Sequence, residues 1–267
     1  MREHDVTFIG GSGSKDRFSH LWGSFEFRRH LAAYEFARRF VRGGLVLDAG
    51  CNVGYGCRLL ESVADHVVGI DIDRSALRYA RNSDPSGEYV VLNVSNMPLR
   101  ENSIDIVVSF QVIEHLHNPG VFLEEVRRVL KQKALFLLST PNRRLRLMPG
   151  AKPHNPEHIR EYELKEFSDL LRRHFDKVTL LGLQASPLAF ALEMKRLNPF
   201  PIPLPCMIWR LLSSIRLPFT VFPRRVRRIV DMRRSSRAAK ITTDDFKVLR
   251  IEFADNPLDL VAVCRKD

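Results

Sequence analysis

Between residues 45 and 183, short apolar runs rich in β-branched side chains take turns with stretches of helical periodicity, and few architectures accept that order. Strands joined through helices run parallel, so the pattern specifies an α/β fold with helices on both faces of a mostly parallel sheet. The apolar runs predict strands over 45–50 (LVLDAG), 66–71 (HVVGID), 88–93 (EYVVLN), 104–110 (IDIVVSF), 134–140 (ALFLLST) and 177–183 (KVTLLGL). Helical patterns cover 54–62, 74–81, 119–130 and 164–174. In the third of these, Pro119 sits where a first helical turn needs no N–H, and Leu123, Val126 and Leu130 share one face among Glu124, Glu125, Arg127 and Arg128. A final strand over 258–266 (LDLVAVCRK) returns to the sheet. Upstream, 25–41 reads as a helix with Phe27, Leu31, Tyr34 and Val41 on one side and Phe25, Phe36 and Phe40 roughly opposite. A helix apolar on two sides is expected to be sandwiched, here over the binding end of the sheet.

A chain of 267 residues, 45% of them hydrophobic, can bury one sizeable core without disulfides or metal. Its four cysteines, Cys51, Cys57, Cys206 and Cys264, lack C-x-x-C spacing, which argues against zinc and for a reducing, cytoplasmic setting. The first twenty residues contain no apolar core of the length that an export signal needs, and nowhere do eighteen uncharged apolar residues run together. The formal charge of +11 is concentrated: Lys195 to Lys240 holds twelve Lys or Arg against the single acid Asp231, and the remainder is balanced. Seven of the fifteen prolines fall between Pro187 and Pro223, marking the same region as a separate insert.

The stretch LVLDAGCNVGYG (45–56) is a strand followed by a small-residue turn. The dinucleotide fingerprint G-x-G-x-x-G fails in both registers, because Gly50 is followed by Asn52 and Tyr55, and the pair Gly54 and Gly56 by Leu59. What fits is Asp48, Gly50, Asn52 and Gly54 at alternate positions, with Gly56 beyond, and asparagine is among the few non-glycine residues that enter the left-handed region readily. Asp71 ends the next strand, 21 residues after Gly50, where a carboxylate can accept two hydrogen bonds from a ribose diol. As a purely structural residue Asp71 would cap the helix starting near Arg74, a task for which Asp73 is better placed.

This arrangement resembles the first motif of class I S-adenosylmethionine-dependent methyltransferases, and most closely the type 11 methyltransferase group. The similarity continues through VVLNVSNMPLRENSIDIVVSFQVIEHLHNP, RVLKQKALFLLSTPN and HIREYELKEFSDLLRRHF, covering about Val46 to Leu183 and the last strand. It implies a Rossmann-like, seven-stranded, mostly parallel sheet whose last strand is antiparallel, with S-adenosyl-L-methionine as cofactor. The cofactor-binding set it implies is Asp48, Gly50, Asn52, Gly54, Asp71, Ile72, Asn93, Val94 and Phe110, with Gly50 and Gly54 bare so that the ligand can approach. Asn93 stands where the family commonly has an acid beside the adenine amino group; its amide oxygen accepts such a bond without charge.

Transfer from a sulfonium needs in-line positioning of an acceptor more than a nucleophilic side chain. For a hydroxyl acceptor a base helps, and QVIEHLHNP puts His115 and Glu114 at the carboxyl end of the sheet, making His115 the candidate catalytic residue, with packing or capping beneath the cofactor as its structural alternative. Some relatives of the fold bind a divalent ion through E-x-x-E-H and a later histidine; here Glu114, His115 and His158 match but Gln111 replaces the first acid, and no bound metal is expected. Tyr55 faces either the cofactor or the packing at the loop edge.

Four segments follow: an N-terminal helical part (1–44), the cofactor-binding core (45–184), the basic Pro-rich insert (185–240) and a terminal strand completing the core (241–267). Within the insert a helix over 206–217 would set Ile208, Leu211, Leu212 and Ile215 on one side, followed by Arg224, Arg225, Arg227 and Arg228. That suits a lid over the site, peripheral contact with an anionic inner-membrane surface, or both. The expected acceptor is a small molecule, a glycan or a lipid-linked compound. Nucleic acid is a lesser partner, since the basic run has no recognition module and is broken by prolines. RNA methylation or binding, and a non-catalytic relative, are the rival readings.

Overall fold

The computed structural model describes residues 24–147, 151–153, 155–197 and 241–267. The helix expected over 206–217, the arginines after it and the first 23 residues lie outside the described residues. In chain order the elements are α1 (Phe25–Ala37), β1 (Leu45–Ala49), α2 (Tyr55–Glu61), β2 (His66–Asp71), α3 (Arg74–Ser83), β3 (Glu88–Val91), β4 (Ile104–Phe110), α4 (Pro119–Val129), β5 (Leu130–Pro141), the single turn α5 (Arg143–Arg146), α6 (Leu164–Arg172), β6 (Lys177–Ala185), α7 (Pro187–Leu197), β7 (Phe246–Arg250) and β8 (Asp259–Arg265).

The strands form one sheet in the order β3-β2-β1-β4-β5-β8-β6-β7. It has eight strands, where the sequence predicts seven. The extra one, β7, pairs antiparallel with β6 at the sheet's edge. Its sequence, FKVLR, has two cations in five residues, and an edge strand needs no continuous apolar run. β8 lies antiparallel between β5 and β6, the orientation expected for the last strand. β5 begins four residues before the predicted start, and α4 correspondingly ends at Val129. The early part of β5 is irregular, with Lys133 at φ 64° and a register shift opposite Ile104 and Ile106, so the apolar pattern of that strand becomes regular only at Ala134.

Strand side chains alternate between two core layers. Val46 and Val108 join Leu31 of α1, Leu60 of α2, Leu77 of α3 and Ala189 of α7 on one face. Leu47 and Val107 join Phe122 of α4 and Phe167 of α6 on the other. The helix start predicted at Pro119 is observed, and Phe122, Leu123, Val126 and Val129 are all fully buried, each contributing roughly 1.5–3 kcal/mol. The 25–41 segment is helical only to Ala37 and is indeed covered on more than one side, Phe25 meeting Phe246 of β7 edge-on at 5.2 Å.

β1 is flanked by β2 on one side and β4 on the other, both parallel to it. The chain therefore reverses its direction of winding between β1 and β4, and in open α/β sheets the loops at the carboxyl ends of such a pair diverge to leave a crevice where ligands bind. The chemistry-bearing residues singled out from the sequence all fall at that edge.

Candidate active site

The turn leaving β1 has three residues in the left-handed region: Gly50 (φ 88°), Asn52 (φ 50°) and Gly54 (φ 77°). Asn52 thus adopts the conformation expected of it. The turn is tied to the next strand, since the Gly50 and Cys51 amides both donate to the carbonyl of Ile70, at 2.8 and 3.0 Å. The two glycines are bare for reasons of internal packing. A Cβ on Gly50 would lie 2.3 Å from Cγ2 of Val112, and one on Gly54 would lie 2.6 Å from the Tyr89 hydroxyl.

Asp71 at the end of β2 is the hub of this edge. Its Oδ2 accepts the Asn52 amide at 2.9 Å and its Oδ1 accepts the Asp73 amide at 2.8 Å. The cap of α3 is Asp73, whose carboxylate accepts from the Ser75 and Ala76 amides, so Asp71 is free of that task. Each Asp71 oxygen keeps acceptor capacity, because an ionised carboxylate offers about four lone-pair sites. Next to it Ile72 is 69% exposed, an apolar side chain standing open at the mouth of the crevice.

Asp48 has the opposite character. It is fully buried, accepts the Tyr34 hydroxyl at 3.0 and 3.1 Å and the Cys57 thiol at 3.4 Å, and burial pushes its carboxyl up to about 7. Tyr34 comes from α1 and also packs edge-on against Phe110 at 4.9 Å. Gly56 makes room for it, because a Cβ there would fall 2.1 Å from the tyrosine ring. Phe110 and Val94 are buried in the two core layers. Asn93 is exposed, with Oδ1 accepting the Ser95 amide at 2.9 Å in a local turn. Tyr55 points away from open solvent: its hydroxyl meets Nδ1 of His30 at 3.1 Å and its ring packs on Phe27 and Tyr34. Burial, together with the Arg29 charge, drives His30 down to about 3, so it is neutral.

The loop after β4 forms the far wall. Val112 rests on Gly50, and a 3-10 turn, Ile113–His115, follows it directly. The carbonyl of Glu114 accepts the amides of Ile159 and Arg160 at 2.9 and 3.1 Å, which brings the distant 155–161 segment alongside. Nδ1 of His115 lies 3.0 Å from the carbonyl oxygen of Glu157, and burial lowers the imidazole's affinity for a proton. A carbonyl only accepts, so Nδ1 carries the hydrogen and Nε2 of neutral His115 holds the free lone pair. Glu114 is fully buried; its Oε2 accepts the Thr140 hydroxyl at 3.1 Å, and burial pushes its carboxyl up to about 8.

Sequence reasoning did not anticipate the Tyr34–Asp48 link or the charged cluster behind this wall. Arg29 pairs with Glu193 (3.5 Å) and Asp259 (3.3 Å), and Arg146 pairs with Glu161 at 3.3 Å, all buried. The one sequence signal for it was the presence of charged residues inside apolar helical and strand patterns, such as Glu193 in α7 and Asp259 in β8.

Residues 47–138 match the family model described as a methyltransferase domain. A Mycobacterium tuberculosis protein described as a probable S-adenosylmethionine-dependent methyltransferase is 39% identical over 166 residues, covering 61% of this chain and 60% of that protein. A ubiquinone biosynthesis O-methyltransferase of Bradyrhizobium diazoefficiens is 37% identical over 106 residues, covering 38% of this chain and 42% of that one. The chain thus spans about three-fifths of the first relative's length. Among solved structures, an S-adenosylmethionine-dependent methyltransferase of Thermotoga maritima shares the fold, with a TM-score of 0.59 over 94% of this chain and 93% of that one at 12% identity.

Proposed function

We propose that this chain, whose core is a class I S-adenosylmethionine-dependent methyltransferase domain, transfers the cofactor's methyl group to a hydroxyl of a small-molecule, glycan or lipid-linked acceptor. The observation that carries the reading is Asp71, a carboxylate fixed by two backbone amides at the carboxyl end of β2 with acceptor capacity to spare and exposed Ile72 beside it. Those residues fit the adenosyl half of the cofactor: the carboxylate suits a ribose diol and the isoleucine suits a base face. The bound cofactor supplies an electrophilic methyl on sulfonium.

The chain's own residues shape the rest. Tyr34 and Cys57 hold Asp48 under the turn, and Tyr34 thereby ties α1 to the end of β1. His115 offers a neutral Nε2 at the opposite wall, placed to take up the proton of an acceptor hydroxyl. An O-methyltransferase among the relatives supports oxygen as the acceptor atom. Among the described residues no helix is long and apolar enough to cross a membrane. The three described cysteines are free thiols, which supports a cytoplasmic setting. We assign contact with an anionic membrane surface, or with the acceptor as a lid, to the basic insert.

The test is transfer of labelled methyl from S-adenosylmethionine to fractionated cell extract. Label in small-molecule, glycan or lipid fractions, reduced on His115→Gln, is expected. Label confined to RNA would replace this reading with the RNA one.

A further inference from the structure

Three side chains on the far wall do more than the base role requires. Glu114, His115 and His158 each offer a ligand-type atom, and these atoms lie within 4.8 Å of one another. The imidazole rings stand edge to face with centroids 4.7 Å apart. Nδ1 of His115 is bound to the Glu157 carbonyl, and Nδ1 of His158 lies 2.9 Å from Oε1 of buried Glu161. Both rings are therefore locked by their Nδ1 atoms and leave Nε2 as the nitrogen with a lone pair. A carboxylate or carbonyl on the rear nitrogen is the usual outer support of a metal-bound histidine, fixing tautomer and ring orientation.

The carboxylate completes the pattern. One oxygen of Glu114 accepts from Thr140, while the other, Oε1, is buried and has no hydrogen-bond partner among the described residues. Leaving such an oxygen unpaired costs about 1–3 kcal/mol, a cost that a cation bound there would remove. Nearby charge points the same way. Among the described residues Glu161, Glu193 and Asp259 pair with Arg29, Arg146 and Arg196, whereas no ion pair reaches Glu114. Gln111, whose place an acid takes in the metal-binding pattern, instead donates from its side chain to Ser139 Oγ at 3.1 Å and is not needed as a ligand.

We propose that Glu114, His115 and His158 form a binding site for one divalent first-row transition ion. Two imidazoles and one carboxylate fill three positions of such an ion and leave others for an oxygen ligand. Metal–nitrogen bonds of ~2.0–2.1 Å require the three ligand atoms to close in by small side-chain rotations. An oxygen ligand fits the open positions, and an acceptor hydroxyl held there would release its proton to solvent more readily. That consequence rests on the methyltransferase reading; the ion site itself does not. Ion and proton compete for the same Nε2, so with the ion bound His115 is a ligand and not the base.

The experiment uses full-length protein freed of metal by a chelator and titrated with Co²⁺ while visible absorption is followed. Saturation at one equivalent with ligand-field bands, displacement by Zn²⁺, and at least about tenfold weaker uptake in both His158→Gln and Glu114→Gln are expected. His117→Gln, altering an exposed neighbour, serves as the control and should match wild type. Absence of saturable uptake, or uptake unchanged in both variants, overturns the site. Each sample is also titrated with S-adenosylhomocysteine: retained binding shows that a variant is folded, and failure of wild type in that arm alone would count against the methyltransferase reading and not against the ion.

Discussion

Replacing Gly50 with alanine tests how the turn after β1 is built. Two penalties apply, and the structure separates them. The backbone at φ 88° places any L side chain in a region costing about 1–2 kcal/mol. The new methyl would also lie 2.3 Å from Cγ2 of Val112, an overlap that the backbone at Gly50 cannot relieve by rotation, costing about 1–3 kcal/mol. The sum, about 2–5 kcal/mol, is a large part of the stability of an ordinary domain, about 5–15 kcal/mol. Urea unfolding should show Gly50→Ala less stable by that amount. Val112→Ala alone should cost about 1–2 kcal/mol, because Val112 is only partly buried. The double variant should recover the overlap and retain the backbone penalty, giving a coupling of about 1–3 kcal/mol. A single Gly50→Ala within 0.5 kcal/mol of wild type (~0.5 being the scatter of neutral sites), or zero coupling with Val112, would refute the packing argument.

Other outcomes follow from the same geometry. The Asp48 carboxyl is raised from 3.8 to about 7 by burial, so the folded state holds its proton more tightly than the unfolded one; its contribution is fully present below about pH 4 and is lost as pH rises to about 7. Asp48→Asn should flatten the decline in unfolding free energy between those pH values by up to about 4 kcal/mol, and an unchanged pH profile would contradict the assignment. Tyr34→Phe removes the hydroxyl from Asp48 while keeping the ring against Phe110, and should cost about 1–3 kcal/mol in urea unfolding; a neutral result would show that the carboxyl finds another donor.

How much of this was legible in the sequence depends on range. Strands such as 66–71 and 104–110 matched closely because each is a buried run whose neighbours along the chain are turns or helices. The left-handed Asn52 and the strand-terminal Asp71 were legible because a turn's conformation and a one-unit β-α-β offset are local properties. β7 was not, since its half-exposed residues carry no apolar signature and its existence depends on pairing with β6. The partners of Asp48 were hidden for a different reason: the carboxylate follows an apolar strand like any motif acid, and only the return of α1 across the sheet brings Tyr34 to it. The side chains that a Cβ at Gly50 or Gly54 would meet were hidden as well, since Val112 and Tyr89 lie 62 and 35 positions downstream and no local pattern connects them to the turn.

The central claim is that the carboxylate closing β2 receives the ribose of S-adenosylmethionine. Calorimetric titration of wild type and Asp71→Ala with S-adenosylhomocysteine, with unfolding curves on the same samples, measures it most directly. Binding at one equivalent by wild type and a loss of about ten- to a hundredfold in the folded variant are predicted, as the loss of charge-assisted hydrogen bonds requires. No heat from wild type at large excess, or equal affinities in the two proteins, would contradict it.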